Sequence, residues 1–233
     1  MSLRAIVVLP TYNEVDNIRP MVEDILRHGP NVLVVDDGSP DGTGQLADQL
    51  QADCPERVDV LHRTAKQGLG TAYVAGFKRA LSRGYDLILE MDCDFSHDPS
   101  YLPLLLERAE TADVVLGSRY IVGGGTVNWS PLRRIISRGG SLYSRVVLDL
   151  PYHDLTGGFK CFHRQVLEAL ELESVTSNGY AFQIELTNRA HRRGFSIAEV
   201  PIVFQERREG ASKMSKDIVI EAAWKVWRFR FGG

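Results

Sequence analysis

Short apolar runs that end in turn residues alternate along the chain with longer segments of helical spacing. Runs rich in Val, Ile and Leu predict buried parallel strands at residues 5–9, 32–35, 58–61, 87–91 and 114–116. Between these runs, apolar positions three or four residues apart predict helices at residues 17–28, 43–52, 70–83 and 99–110. Such alternation is typical of an α/β protein with a mostly parallel sheet.

The second half of the chain is less regular. Residues 120–131 hold the run Gly123-Gly124-Gly125 and are predicted to form a mobile loop. Amphipathic segments follow at 133–148 and 182–193, then an extended stretch at 196–204, a polar segment at 207–215 and a last helix from about 216 to 229. We therefore expect a main domain over residues 1–214 and a C-terminal amphipathic helix over residues 215–233.

Composition narrows the class of protein. With 233 residues, of which 44% are hydrophobic, the chain can bury a full core without disulfides or structural metals. The net charge of −3 gives no reason to expect nucleic-acid binding. Three widely spaced cysteines, Cys54, Cys93 and Cys161, form no zinc pattern and favour a reducing, cytoplasmic compartment. No apolar run reaches the ~18–20 residues of a membrane span.

Polar clusters follow four of the predicted strands. They are residues 10–14, 36–39, 92–94 and 117–119. In open parallel sheets, ligands bind outside the carboxyl ends of the strands, so these clusters predict a single site at one sheet edge. The cluster after the first strand is PTYNE, which lacks the glycines that a dinucleotide-binding loop requires.

Asp92 and Asp94 are the strongest chemical signal, because two carboxylates repel each other unless a cation lies between them. A solvated turn with Asp98 as the cap of the next helix explains Asp98 only. A calcium loop fails because His97 and Pro103 occupy its glycine and glutamate positions. A phosphatase-type nucleophilic aspartate remains an alternative. We favour a Mg²⁺ or Mn²⁺ site, which suits oxygen ligands and would bridge the aspartates to a nucleotide diphosphate.

The ordered motifs resemble those of a known enzyme family. They are VVLPTYNEVDNI, VLVVDDGSPDGT, KQGLGTAYVAGFKRAL, LILEMDCDFSHDP, VVLGSRYIVGG and DLTGGFKCF. This set resembles the inverting nucleotide-sugar glycosyltransferases of the GT-A fold. NWSPLRRIISRGGSLYSR, NGYAFQIEL and EVPIVFQERREGASKM bring the resemblance closer to the dolichol-phosphate (polyprenyl-phosphate) mannose synthases. The resemblance covers about residues 5–214 and implies that residues 1–214 are a catalytic domain.

The resemblance implies a GDP-mannose donor, a polyprenyl or dolichyl phosphate acceptor, a divalent cation and transfer with inversion to a β-linked product. It assigns donor binding to Pro10, Tyr12, Glu14, Asp37, Asp92, Cys93, Asp94, Arg207 and Lys213. Asp92 and Asp94 would hold the metal, with Ser96 at the position of a further ligand. The acceptor phosphate would contact Arg119, Arg133 and Ser137. UDP-glucose as donor, or a nucleotide- or lipid-binding module without turnover, remain the alternatives.

The acceptor chemistry suggests that no protein base is needed. The second pKa of a phosphate monoester is about 6, so the acceptor is largely a dianion at neutral pH. Arginine forks match phosphate oxygens, which suits Arg119 and Arg133. Asp154 is the candidate base if this hypothesis is wrong, and its alternative interpretation is a turn residue before Thr156-Gly157-Gly158.

Membrane contact is a further expectation. Residues 135–150 combine apolar helical spacing with arginines, and residues 224–231 place aromatic beside basic residues. A helix that packs on its own domain has the same pattern, so both interpretations stay open. The resemblance is to the short form of the family, which lies peripherally on a membrane, at its cytoplasmic face, or depends on a membrane-anchoring partner subunit. A chain shortened before transmembrane helices is the other alternative.

Overall fold

The computed structural model describes residues 3–206 and 216–231, and the side chains of residues 216–223 are left out of the description. The strands are β1 (Ala5–Thr11), β2 (Asn31–Asp36), β3 (Val58–His62), β4 (Leu87–Glu90), β5 (Val114–Ser118), β6 (Gly125–Thr126), β7 (Lys160–His163), β8 (Ile197–Pro201) and β9 (Val203–Phe204). The helices are α1 (Val15–Arg27), α2 (Thr43–Asp53), α3 (Leu69–Ser82), α4 (Leu102–Ala109), α5 (Pro131–Leu148), α6 (Arg164–Ala169), α7 (Gly179–Arg192) and α8 (Lys216–Phe231).

The main sheet has seven strands in the order β3-β2-β1-β4-β7-β5-β8. All neighbouring strands run parallel except β7, which is antiparallel to both β4 and β5. The α/β class, the mostly parallel sheet and the five predicted strands are confirmed. The sequence analysis missed β7, since its four residues, KCFH, begin with a charged residue and show no strand alternation.

The continuous apolar runs arise because the central strands are covered on both faces. Val7 and Leu9 point to a layer that contains Ile18 and Met21 of α1. The alternate residues of the same strand, Ile6 and Val8, point to a layer that contains Tyr73 and Phe77 of α3. Buried on both sides, the strands hold the loops at their carboxyl ends in fixed positions.

The segment after β5 is more ordered than a loop. Within residues 120–131, β6 pairs in parallel with β9. Gly124 is required there, because a Cβ at this position would lie 2.5 Å from the carbonyl oxygen of Ser118. The prediction of a mobile loop is therefore wrong for β6, whose two residues are too few to leave a periodic signal.

Helix α8 packs against the body of the protein and also exposes aromatic residues. Val226 is buried in a cluster with Leu148, Leu150, Leu155 and Ile184. Trp224 and Phe231 are 73% and 74% exposed. The packing interpretation is confirmed for the face that carries Val226. Membrane contact of the exposed face and the domain division at residue 214 stay predictions. Over the described ranges, we find no helix with both the length and the apolar character needed to cross a membrane.

Candidate active site

The two aspartates of the candidate metal site follow β4 directly. Tyr73, buried in α3, donates its hydroxyl to Asp92 Oδ1 at 3.2 Å. Asp94 Oδ1 accepts the backbone N–H of Ser96 at 3.0 Å. The backbone N–H of Asp92 points to Nδ1 of His97 at 3.4 Å, and the His97 ring stacks on Phe159. The carboxylates are therefore held in place by their own turn and by the helix behind it.

The donor set at the end of β4 fits Mg²⁺ or Mn²⁺. Ser96 is fully buried, and its Oγ has no hydrogen-bond partner among the described residues. Such an orphaned oxygen beside two carboxylates fits a third oxygen ligand. Within the described part of the chain, no group of three or more His, Cys, Asp or Glu side chains could hold a metal. A cation bound by Asp92 and Asp94 would share its shell with phosphate oxygens, as Mg²⁺ commonly does.

A buried ion pair lies just before these aspartates. Lys160 Nζ of β7 lies 3.8 Å from Oε1 of Glu90, and both side chains are almost fully buried. Lys160 also donates to the Gln183 carbonyl at 2.8 Å, and the Gln183 side chain donates to Glu90 Oε2 at 2.9 Å. Burial raises the pKa of Glu90 and lowers the pKa of Lys160, while the opposite charge of each partner counteracts the shift.

The predicted nucleoside residues meet at the ends of β1 and β2. Pro10 lies within β1, and the Tyr12 ring that follows has Lys66 Nζ 4.0 Å from its centroid. The backbone N–H of Glu14 donates to Thr43 of α2 at 2.9 Å. These contacts fix the turn between β1 and α1 beside the end of β2.

Asp37 and Cys93 are two further residues that the resemblance assigned to donor binding. Arg63 donates to Asp37 Oδ1 at 2.5 Å. Burial raises the pKa of Asp37, and the Arg63 charge opposes this rise. Cys93 is buried, and its pKa is raised well above the ordinary value by burial and by Glu14 nearby. Its thiol therefore stays protonated and contributes packing, not a thiolate.

Arg119 and Asp154 form a buried, two-pronged ion pair. Nε and Nη2 of Arg119 each donate to a different oxygen of Asp154 at 2.7 Å, and Nη2 also donates to Thr156 at 2.9 Å. Burial alone would raise the pKa of Asp154, but the Arg119 charge and hydrogen bonds hold it below the ordinary value. A carboxylate with a lowered pKa and both oxygens occupied is a poor proton acceptor.

Trp129 lies between the two arginines that were predicted to bind the acceptor phosphate. The Arg133 guanidinium lies 4.1 Å from a centroid of the Trp129 ring, and the Arg119 guanidinium lies 5.5 Å from one. The buried indole N–H finds no acceptor in the described ranges 3–206 and 216–231. Ser137, one turn after Arg133, accepts the Tyr120 hydroxyl at 2.6 Å. This basic cluster, Arg119, Trp129, Arg133 and Ser137, presents several donors that suit an anion.

Phe204 of β9 joins the basic cluster to the acidic end of β4. Its ring lies 5.1 Å from that of His97 and 5.4 Å from the Arg119 guanidinium. The next residue, Gln205, donates its backbone N–H to the Ser96 carbonyl at 3.1 Å. One short strand therefore sets the distance between the two halves of the site.

The structure brings together most of the residues that the sequence analysis singled out. The described residues that were predicted to bind donor and acceptor lie at or beside one sheet edge, as the positions of the polar clusters predicted. Arg207 and Lys213 lie outside the described residues, so their assignment stays a prediction. The residues that sequence analysis missed are Tyr73, Trp129, Lys160 and Phe204. Trp129 lies two residues before the proline that begins α5. A single tryptophan next to the sequence SPLRR was the only feature of the sequence that could have indicated its role.

Comparison with known proteins identifies the family. The sequence profile of Glycosyl transferase family 2 matches residues 6–171. The chain is 48% identical to "Polyprenol monophosphomannose synthase" of Mycolicibacterium smegmatis, over 97% of this chain and 88% of that protein. It is 49% identical to "Undecaprenyl-phosphate mannosyltransferase" of Micrococcus luteus, over 97% of this chain and 94% of that protein. The chain belongs to glycosyl transferase family 2, which confirms the predicted resemblance.

Solved structures agree on the fold. Glucosyl-3-phosphoglycerate synthase of Mycobacterium tuberculosis, in complex with Mn²⁺, UDP-glucose and phosphoglyceric acid, aligns with a TM-score of 0.68 at 19% identity. The alignment covers 99% of this chain and 79% of that one. At this identity the likeness shows the fold alone, which is GT-A, as predicted. The chain is therefore a glycosyltransferase in fold and family.

The buried pair of Glu90 and Lys160 generates a stability prediction. We expect Lys160→Met to lower the free energy of unfolding by about 3–5 kcal/mol, since it leaves a buried carboxylate without its partner. The double variant Glu90→Gln/Lys160→Met should recover part of this loss, because the uncompensated charge is gone. Urea unfolding measures both.

Lys78→Met is the matched control for this experiment. Lys78 forms an ion pair with Glu173 at 2.7 Å, and the two side chains are 44% and 80% exposed to solvent. We expect its loss to change stability far less than Lys160→Met, because solvent already screens the pair. If Lys160→Met and Lys78→Met lowered the free energy of unfolding equally, the buried pair would not be coupled. The same would follow if the double variant recovered none of the stability lost in Lys160→Met.

Proposed function

We propose that this protein transfers mannose from GDP-mannose to a polyprenyl phosphate, with inversion at the anomeric carbon. The observation that carries the proposal is a single sheet edge with two unlike halves. Two carboxylates after β4 suit a cation and a diphosphate, and the basic cluster around Trp129 suits a second phosphate. The names of the two relatives near 48% identity support the mannosyl and polyprenyl parts.

On the donor side, Tyr12, Glu14 and Asp37 would bind the nucleoside, and Asp92 and Asp94 would hold Mg²⁺ or Mn²⁺ with Ser96 as a further ligand. Such a cation would neutralise the charge that develops on the departing diphosphate. The Mn²⁺ named with the structural neighbour supports a divalent ion in this fold.

On the acceptor side, Arg133, Ser137 and the Trp129 indole N–H would bind the phosphate, and Asp154 would hold Arg119 in position. The acceptor phosphate is already a dianion near neutral pH, because its second pKa is about 6. It can attack the anomeric carbon directly from the face opposite the diphosphate. Asp154 thus positions the arginine and accepts no proton.

We also propose that the enzyme works on a membrane surface. Helix α5 carries Arg133 and Ser137, and the same helix exposes Leu132, Ile135 and Val146. A polyprenyl chain in a bilayer could then leave its phosphate at the start of this helix while the exposed residues contact lipid. Cys54, Cys93 and Cys161 form no disulfide with one another, which is compatible with the cytoplasmic face.

Mannosyl transfer is the direct test of this function. With polyprenyl phosphate and Mn²⁺, we expect GDP-mannose to yield a polyprenyl phosphate mannose whose anomeric carbon is β by NMR. UDP-glucose should be turned over far more slowly. A preference for UDP-glucose would show that GDP-mannose is not the donor. An α-linked product would exclude a single displacement. Nucleotide binding without transfer would indicate a non-catalytic module.

Asp94→Asn tests the metal site by calorimetry. We expect the Mn²⁺-dependent part of GDP affinity to fall by about 100-fold or more, since loss of even an outer-shell partner costs about 10–100-fold. Asp98→Asn is the matched control, because Asp98 lies in the same loop and caps the following turn through the Ser100 N–H. Unchanged Mn²⁺ dependence in Asp94→Asn would remove the metal from this position.

Asp154→Asn separates positioning from base catalysis. We expect the acceptor KM to rise by about 10–100-fold, as charged hydrogen bonds of about 1.5–3 kcal/mol become misplaced, with kcat nearly retained. In both proteins kcat/KM for the acceptor should fall below pH ~6, where the phosphate is protonated. A kcat loss of about 10²–10⁴-fold with unchanged acceptor binding would instead identify Asp154 as the base.

A further inference from the structure

A second basic site lies away from the sheet edge, between the later part of α7 and α8. It is a cavity of roughly 440 Å³, within the usual size range of ligand sites. Five basic residues line it, namely Arg189, Arg192, Arg193, Lys225 and Arg228. None of the residues of the candidate active site lines this cavity.

The charges around the cavity favour an anion. Two acidic residues, Glu171 and Glu185, accompany the five basic ones, so the described lining carries a net charge of +3 in a chain whose overall net charge is −3. Arg193 pairs with Glu171, and Arg189 pairs with Glu185. Gathering like charges in one cavity costs free energy, which a bound phosphate group would offset.

The cavity also offers an acceptor for hydroxyl groups. Glu185 is 4% exposed, and its Oε2 has no hydrogen-bond partner within the part of the chain that the structure describes. Ser177 and Asn188, which also line the cavity, are buried as well. The fitting ligand therefore combines a negatively charged phosphate with hydroxyl groups that donate hydrogen bonds.

The position of the cavity indicates where such a ligand comes from. On α8, Arg228 follows directly after Trp227, and Trp224, Trp227 and Phe231 form an exposed aromatic stripe. The Trp227 and Phe231 rings stack with centroids 5.6 Å apart. Exposed aromatic residues beside basic ones are typical of helices that lie in the headgroup region of a membrane. Helix α8 also contacts α5, whose apolar face is exposed.

We propose that this cavity binds the headgroup of an anionic phospholipid, separately from the polyprenyl phosphate acceptor. The proposal rests on the membrane part of the proposed function. Arg192, Lys225 and Arg228 contact the lipid phosphate, and the Glu185 carboxylate accepts a headgroup hydroxyl. Occupation of the cavity orients α8 on the bilayer, so that the aromatic stripe inserts beside it.

Vesicle flotation of the full chain tests this proposal. Phosphatidylglycerol vesicles supply a phosphate and hydroxyls, and phosphatidylcholine vesicles supply neither a net charge nor hydroxyls. We expect the wild type to bind phosphatidylglycerol vesicles more tightly than phosphatidylcholine vesicles. We expect Arg192→Gln/Arg228→Gln to weaken that binding by about 30-fold, which is about fivefold for each charge near the surface. Binding to phosphatidylcholine should not change in this variant.

Matched controls separate the cavity from general attraction. Arg134→Gln/Arg230→Gln removes two charges from α5 and α8 without touching the cavity, and we expect a clearly smaller loss. An equal loss would indicate unspecific electrostatics and overturn the proposal. Titration with glycerol 3-phosphate, followed by NMR, tests whether the cavity takes a soluble ligand instead. If glycerol 3-phosphate binds at the cavity of the wild type while the Arg192→Gln/Arg228→Gln variant binds vesicles normally, the lipid proposal is also overturned.

The outcomes also separate this proposal from the proposed function. Ile135→Ser/Val146→Ser, on the exposed face of α5, should weaken binding to both kinds of vesicle. If the wild type binds both kinds equally, the cavity proposal alone fails. If the wild type binds neither kind, the membrane part of the proposed function fails, and the cavity proposal fails with it.

Discussion

The structure depends on how the negative charges at the carboxyl end of β4 are compensated. Glu90, Asp92 and Asp94 follow one another at every second position, and such a row of carboxylates in a buried setting repels itself. Lys160 offsets the first of them from inside the core. The antiparallel insertion of β7 is what places that lysine beside β4. A divalent cation at the outer pair would offset the other two at the moment when the diphosphate binds.

In the basic cluster around Trp129, a buried positive charge is compensated by a buried negative one. Arg119 is buried and would be costly without Asp154, which accepts hydrogen bonds from its Nε and Nη2. Arg133, Ser137 and the Trp129 N–H are the other members of the basic cluster, and Arg133 also pairs with Glu206 at 3.1 Å. Helix α5 carries polar groups on one side and exposed apolar residues on another. One helix could therefore bind the phosphate of a lipid-linked acceptor and also contact its hydrocarbon chain. Phe204 contacts both the Arg119 guanidinium and the His97 ring, and so links the basic cluster to the loop that carries the aspartates.

Much of this arrangement could be predicted from local sequence. The strands β1, β2 and β4 are continuous Val, Ile and Leu runs, so their ends, and the clusters at Tyr12, Asp37 and Asp92, were placed on one edge. Asp98 was predicted as a cap, and its side chain accepts the Ser100 N–H. The family could be predicted as well, since the motifs are long and occur in order.

Other parts have no local signal. Lys160 reads as a surface residue in a short charged segment, and only its pairing across β4 shows that it is buried. Asp154 could not be assigned as a base or a turn residue from sequence, because its partner Arg119 is 35 residues away. The basic cavity combines α7 with α8, and residues 189–193 and 225–228 look like ordinary solvated charges when each helix is considered alone.

A crystal structure with GDP and Mn²⁺, measured at the manganese absorption edge, tests the central claim most directly. The account predicts one anomalous peak within coordination distance of the Asp92 and Asp94 carboxylates and of the GDP diphosphate, with Ser96 Oγ as a neighbour. A bound GDP whose diphosphate lies away from these aspartates, or a manganese peak at another place, would contradict the account.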